Sequence, residues 1–292
     1  MDARNQEAAR RGEPGIAALL TLFVPGLGHL YLGRPTFGFV AFLAIEGLYA
    51  LGWWLSDGLV FSFLDPELRG RFAILLSPEA GNLGALLWHF RQVGFGPDRP
   101  VPWPDTIMLG SMLTSLSGLA NVFLMVRAHL DARVGAEERA RGPAPTLLVA
   151  AAWAVPGLGH VLQKRFLRGA IVFALLVGLF AWGTWLAELS NLSRERHFYY
   201  WAGQFLVGLP AVVAELVSGR PPVTDEIPSA DVGLLFGCVA GLLNVLAMLD
   251  VYGFAEARLL DEDPQAARAG DAEALDPASH ASKERTAEEA TA

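Results

Sequence analysis

The sequence predicts an all-α integral membrane protein built from two tandem repeats. Of its 292 residues, 53% are hydrophobic and only 18% are charged, below the roughly 25% charged residues of soluble domains. Four apolar stretches are long enough to cross a bilayer, and one hexapeptide occurs twice. We therefore expect each repeat to contain a short Pro-Gly-Leu-Gly-His segment and two transmembrane helices joined by a long interfacial region.

The duplication is visible at two offsets. Residues 24–29 read Val-Pro-Gly-Leu-Gly-His and recur unchanged 131 residues later, at 155–160. A second block, 118–125, aligns with 241–248 at an offset of 123. The change of offset falls between the blocks, in a region where loops tolerate length changes. These alignments predict a cytoplasmic N-terminus at 1–15, a first repeat at 16–133, a cytoplasmic linker at 134–146, a second repeat at 147–260 and an acidic tail at 261–292.

Four apolar segments have the length of a transmembrane helix. About 20 residues, at 1.5 Å per residue, cross a hydrocarbon core of about 30 Å. Two further segments, 16–32 and 147–162, are shorter and are interrupted by the Pro-Gly-Leu-Gly motif. They either span the bilayer or enter it and return. The four predicted spans are 37–55, 106–126, 169–187 and 232–252.

Basic residues predict the orientation. With four spans and returning motif segments, 15 of the 22 Lys and Arg residues lie on one side, and with six spans 14 do. Both arrangements place the termini in the cytoplasm, since short cytoplasmic loops are rich in Lys and Arg. Two full spans per repeat leave the repeats parallel. We favour this arrangement because Arg34 and Arg165 then both face the cytoplasm.

Charge and cysteine content exclude several classes of protein. The net charge is −8, but residues 261–292 hold nine acids and three bases, so the remaining chain is close to neutral. A chain without a basic surface is not expected to bind nucleic acid. Cys238 is the only cysteine, which rules out an intramolecular disulfide. The tail has few large apolar residues and is expected to be disordered.

The regions between the spans of each repeat, 56–105 and 188–231, contain amphiphilic stretches with Pro, Gly, Trp and Tyr. Aromatic rings with one polar edge favour the membrane interface. We expect these regions to lie on the surface or to be partly inserted.

The repeated motif predicts a break in a helix and a tightly packed contact, because proline lacks an amide hydrogen and glycine lacks a side chain. The first copy resembles the Pro-Gly-x-Gly-x-x-Tyr-x-Gly signature of the two-helix transmembrane domain family and its bacterial relatives of unknown function. That resemblance implies a membrane hairpin and no particular activity. The second copy has Leu162 in place of the tyrosine and Lys164 in place of the last glycine. The motif residues are Pro25, Gly26, Gly28, His29, Tyr31 and Gly33, and then Pro156, Gly157, Gly159 and His160.

The motif histidines and one carboxylate are candidate functional residues. His29 and His160 are either a metal or proton-relay pair or, as we favour, partners of the broken backbone or of the interface, since no carboxylate cluster accompanies them. Glu46 lies in the middle of the first predicted span, where a carboxylate is costly and marks a functional site by default. Its aligned position is Val177, which argues against a symmetric ion path.

Two aligned pairs of polar residues lie in the last span of each repeat. Asn121 and Asn244 each precede a methionine by one helical turn, and we expect them to hydrogen-bond between helices rather than to bind a substrate. Arg127 aligns with Asp250 near the cytoplasmic ends. We predict that these two side chains pair across the interface of the repeats.

The sequence favours a noncatalytic, multi-pass protein of a bacterial inner membrane that acts as a structural or interaction component. Its expected partners are the lipid bilayer and another membrane protein or a second copy, with no cofactor. The alternative is a small transporter or channel that uses Glu46 and the broken motif helices. A membrane-embedded enzyme has weaker support, because Ser190, Ser193 and His197 lie close in sequence without a recognisable catalytic motif.

Overall fold

The computed structural model describes residues 12–65, 67, 69–70, 73–97, 101–133, 144–218 and 227–259. These ranges contain helices and no strand. The predicted tail 261–292 and most of the predicted linker 134–146 lie outside them. The helices of the first half are α1 (Pro14–Phe23), α2 (Leu27–Tyr31), α3 (Pro35–Leu55), α4 (Leu83–Gln92) and α5 (Ile107–Arg133), with 3₁₀ turns at Ala73–Leu76 and Pro78–Gly81. Those of the second half are α6 (Pro145–Ala154), α7 (Leu158–Leu162), α8 (Phe166–Leu186), α9 (Phe198–Phe205), α10 (Leu209–Ser218) and α11 (Ala230–Leu259), with a 3₁₀ turn at Ser190–Leu192.

Four helices, α3, α5, α8 and α11, are long and apolar enough to cross a membrane. They coincide with the four predicted spans. Helices α5 and α11 each continue seven residues beyond the predicted ends at 126 and 252. Hydropathy marks only the part of a helix that lies in lipid, whereas a helix continues wherever its polar residues find partners. Arg133 and Glu256, which form an ion pair at 2.6 Å, provide such a contact in this extension.

The long helices of each half form an antiparallel pair with closely approaching backbones. Gly52 of α3 lies against Gly110 of α5, and Gly183 of α8 lies against Gly233 of α11. A side chain at any of these positions would overlap the facing backbone. Small residues at such contacts are the usual means by which helices associate in a bilayer. Gly52 and Gly183 are related by the offset of 131, and Gly110 and Gly233 by the offset of 123.

The two halves run in the same direction. Arg34, which precedes α3, pairs with Asp131 near the end of α5, and Arg165, which precedes α8, pairs with Asp250 of α11 at 2.8 Å. Each half therefore begins and ends on one side. Contacts between α5 and α11 bring those two sides together, which agrees with the parallel arrangement favoured by the sequence.

A pseudo-twofold axis runs between α5 and α11, because residues related by the 123-residue offset meet there. The side chains of His129 and Tyr252 are 2.9 Å apart, and Arg133 contacts Glu256. Nearer the middle of the helices, the aligned pairs Val122 and Val245, and Met125 and Met248, line one apolar groove of about 390 Å³. An axis between parallel repeats lies along the membrane normal.

The motif segment enters and returns. Helix α1 ends at Phe23, and α2 turns back along it, so that Gly28 packs against Ala17 and Thr21. The backbone N–H of Glu13 donates to the hydroxyl of Tyr31 at 3.1 Å, which joins the two ends of the hairpin. Of the two possibilities that the sequence left open, the segment thus takes the one in which both ends lie on the same side.

Helix α1 meets α4 end to end, and α6 meets α10 in the same way. Gly84, in the first turn of α4, lies against the carbonyl of Phe23 at the end of α1, and Gly208, just before α10, lies against Trp153 at the end of α6. All four short helices have 10 residues. Two of them together reach about 30 Å, the thickness of a hydrocarbon core. We call each pair, α1 with α4 and α6 with α10, a composite span.

The aligned asparagines hold these junctions. Asn121 donates to the carbonyls of Thr21 at 2.8 Å and Gly81 at 3.0 Å, which belong to the two sides of the first break. Asn244 donates to the carbonyl of Leu206 at 2.9 Å, just before α10. Backbone groups freed by a break in lipid have to be satisfied by neighbouring protein. The expected role in hydrogen bonding between helices agrees with these contacts.

Replacing Asn121 with alanine is expected to lower the free energy of unfolding by about 1 to 3 kcal/mol, because two carbonyls lose their donor. Asn244→Ala removes one such bond and should cost about half as much. Thermal unfolding in detergent, followed by tryptophan fluorescence, measures both. An equal or larger loss for Asn244→Ala would contradict the assignment.

Candidate functional site

The motif glycines make the hairpin possible. Gly26 has φ +82° and Gly157 has φ +86°, in the left-handed region, and a Cβ on either would overlap the carbonyl of Gly38 or Gly169 in the following long helix. Gly33 has φ +73°, and Lys164 at the matching position keeps the same geometry with φ +64°. The lysine in the second copy therefore leaves the backbone turn unchanged.

The motif histidines face carboxylates. Nε2 of His160 lies 3.1 Å from Asp250, and Nε2 of His29 lies 3.7 Å from Asp131. The expectation of hydrogen bonds to the broken backbone is wrong, since each ring points to the last helix of its own repeat.

The predicted pair between Arg127 and Asp250 is also wrong. Arg127 lies 3.1 Å from Asp131 of its own helix, and Asp250 pairs with Arg165 and His160. The face of α5 that is directed toward the pseudo-twofold axis carries Met125 and His129. Position 127 lies two residues from each of them, about 200° around the helix, and so points back toward its own repeat.

Glu46 lies at the break of the first composite span. It is the charged side chain among the described residues that line a cavity of about 530 Å³, formed by α3 on one side and by α1 and α4 on the other. Asn82, which caps α4 by accepting from the N–H of Ala85, approaches the carboxyl of Glu46. The cavity is open rather than enclosed.

A buried ion pair, which the sequence did not predict, lies behind this cavity. Glu79 and Arg194 have side chains 0% and 1% exposed, and Nη1 of Arg194 lies 2.9 Å from Oε1 of Glu79. Thr114 and Ser115 of α5 donate to the same oxygen at 2.8 and 2.9 Å. Glu79 belongs to the first repeat and Arg194 to the second, so the pair joins the two halves.

Aromatic rings and a carbonyl complete the surroundings of Arg194. Its guanidinium lies 4.8 Å from the ring centre of Trp201 and 5.0 Å from that of Phe198, and Nη1 also donates to the carbonyl of Ser111 at 3.1 Å. A cation over an aromatic face is attracted by the ring quadrupole. Arg194 is therefore held in place by its pairing with Glu79, and it is not available to Glu46.

Two further polar side chains lie between Glu46 and the ion pair. Tyr49 interacts electrostatically with both Glu46 and Glu79, and its ring centre is 6.4 Å from that of His89. His89 in turn interacts with Glu79 and Arg194. The hydroxyl of Tyr49 and both ring nitrogens of His89 are buried without a hydrogen-bond partner. Tyr49 and His89 thus lie between the cavity and the ion pair, without hydrogen bonds that join them to either.

The second repeat lacks this chemistry. Val177 and Phe180 occupy the positions that align with Glu46 and Tyr49. Gln204 packs against Gly237, the position that aligns with Thr114, and donates to the carbonyl of Asn191 at 3.1 Å. The second repeat therefore has no carboxylate at these aligned positions, although Glu215 of α10, 4% exposed, lies near Gln204 and accepts from the indole N–H of Trp201 at 2.6 Å. Among the residues that the structure covers, no group of three metal-ligating side chains occurs in either repeat.

The described residues form a helical protein with four helices long and apolar enough to cross a membrane. The chain belongs to a family of unknown function, DUF6677, whose model matches it twice, at residues 16–141 and 147–262. The two matches support the duplication. Comparisons with curated proteins and with solved structures found no match.

Proposed function

We propose that the protein is a small transporter of a bacterial inner membrane, and that it binds its solute at Glu46 in the break of the first composite span. The observation that carries this proposal is the opening of Glu46 into the 530 Å³ cavity. Broken helices that meet near the middle of a membrane form the solute sites of many transporters.

The distribution of charge supports this site over others. A carboxylate in the middle of a membrane helix is costly and marks a functional site by default. Glu79 is neutralised by Arg194, whereas no described basic side chain lies within ion-pair distance of Glu46. The negative charge of Glu46 is therefore available to be neutralised by a bound solute or by a proton. Val177 stands in the second repeat at the position that aligns with Glu46, so the proposed site belongs to the first repeat.

Reconstitution into vesicles tests the proposal. We expect a panel of cationic, anionic and neutral solutes to include at least one that drives a current on a solid-supported membrane, and we expect Glu46→Gln to abolish that current while the protein still inserts. Glu188→Gln is the matched control, because it removes the same charge from an exposed position just beyond the end of α8. Equal currents from both variants would contradict a role for Glu46.

A noncatalytic structural or interaction component is the second candidate. The apolar groove of about 390 Å³ on the pseudo-twofold axis favours it, since such a surface suits another membrane protein or a second copy. We also propose that the chain is related to the two-helix transmembrane domain family and that both of its termini lie in the cytoplasm. Crosslinking in membranes that recovers a stoichiometric partner, with no current in vesicles, would favour this candidate over transport.

A further inference from the structure

We infer that the cavity at Glu46 binds a hydrophobic organic cation carrying one positive charge. This inference rests on the proposed function, because it names the class of solute for the same site. The walls of the cavity, its charge and the donors at its edge support this ligand.

The walls are mainly aromatic. Phe42, Tyr49 and Trp53 of α3 face Phe23 of α1 and Trp88 of α4 across the cavity, and the rings of Trp53 and Trp88 meet edge to face with centres 5.6 Å apart. Aromatic faces attract cations, most strongly in sites shielded from water, and they are the usual walls of sites for quaternary ammonium groups. Such walls also bury the apolar parts of a ligand.

The charge of the cavity selects a monocation. Glu46 is the charged residue among the described ones at the walls, and the buried guanidinium of Arg194 already pairs with Glu79. A single uncompensated carboxylate attracts a cation and repels an anion. Metal ions such as Ca²⁺ and Mg²⁺ need six or more oxygen ligands, and the lining side chains offer only the carboxylate of Glu46 and the hydroxyl of Tyr49 as oxygen ligands.

Two buried donors beside Glu46 provide an independent indication of a built site. The hydroxyl of Tyr49 and the amide nitrogen of Asn82 are buried and make no hydrogen bond of standard geometry. Buried polar groups in native proteins are nearly always paired. The amide of Asn82 approaches the carboxyl of Glu46, and a donor at this place favours the ionised form, which is the form that binds a cation.

The size and position of the cavity fit a ligand that arrives from the bilayer. Its volume of about 530 Å³ lies within the range of about 300 to 1,000 Å³ of small-molecule sites. Trp88, at its wall, is 45% exposed, and Leu43, on the same stretch of α3, is 54% exposed. In a membrane these side chains face lipid, so a hydrophobic cation dissolved in the bilayer can reach Glu46 directly.

Equilibrium dialysis of radiolabelled tetraphenylphosphonium against the purified protein in detergent tests the inference. We expect saturable binding of one cation per chain. Glu46→Gln should weaken it by about tenfold or more, because it removes the counter-charge. Glu46→Asp should retain most of the binding. Trp88→Ala should weaken it severalfold, whereas Trp54→Ala, at a 67% exposed neighbour outside the cavity, should leave it unchanged.

Three results would overturn the inference. They are unchanged binding in Glu46→Gln, equal losses in Trp88→Ala and Trp54→Ala, and equally tight Glu46-independent binding of the anion tetraphenylborate, which has the same shape. If Glu46→Gln does not yield folded protein, the two tryptophan variants and the anion decide. If tetraphenylphosphonium binds but no current is seen in vesicles, the transport proposal is wrong and this inference stands. A Glu46-dependent current for a different solute, with no tetraphenylphosphonium binding, would remove only this inference.

Discussion

Replacing Arg194 with methionine is expected to lower the free energy of unfolding by about 3 to 5 kcal/mol, the usual cost of removing one partner of a buried ion pair. Glu79 would then keep a desolvated charge without a counter-ion, with the hydroxyls of Thr114 and Ser115 as its side-chain partners. The same change would loosen the contact between the repeats. Thermal unfolding in detergent, measured by tryptophan fluorescence, gives the difference.

Two variants make this result specific. Arg196→Met removes the same charge from an exposed residue of the same loop and should change the free energy of unfolding by less than about 1 kcal/mol. Combining Arg194→Met with Glu79→Gln should recover part of the loss, since no buried charge is left alone. Similar losses for Arg194→Met and Arg196→Met would contradict the buried pair.

Replacing Gly26 with alanine is expected to lower the free energy of unfolding by about 2 to 5 kcal/mol. The left-handed backbone costs an L-residue about 1 to 2 kcal/mol, and the added methyl group overlaps the carbonyl of Gly38, which adds the cost of overpacking, about 1 to 3 kcal/mol. The first long helix would be pushed away from the hairpin.

Gly33 provides the matched control within the same motif. Its φ of +73° carries the same backbone cost, but no atom lies within 4 Å of an added Cβ. Gly33→Ala should therefore lose only about 1 to 2 kcal/mol. Chemical denaturation of both variants in one detergent separates the two contributions. If both substitutions cost the same, the close approach of Gly26 and Gly38 is not a determinant of stability.

The long helices could be predicted because a span leaves a local signal, an apolar run of the right length. The composite spans could not be predicted from the sequence. Helices α1 and α4 have 10 residues each, too few to be recognised as half of a membrane crossing, and their junction depends on Phe23 and Gly84 meeting in space. The internal alignment did find both asparagines that hold the junctions, because both repeats need the same donor.

The site was predicted only in part, for a similar reason. Glu46 is recognisable since a carboxylate inside an apolar helix is unusual. Glu79 and Arg194 are 115 residues apart, in segments where charges are normally solvated. The false pair of Arg127 with Asp250 shows the limit of internal alignment. Aligned residues are related by the symmetry axis, and they touch only where they face it, as His129 and Tyr252 do.

The parallel arrangement of the halves has an evolutionary consequence. Because one repeat starts and finishes on the same side of the membrane, a gene encoding a single repeat can be copied in tandem without inverting either copy. An ancestor of that kind would assemble as a symmetric homodimer through the face that now carries Met125 and Met248. In the present chain the first copy supplies the acid Glu79 and the second copy supplies its counter-ion Arg194, a contact that a symmetric homodimer of one repeat would make twice or not at all.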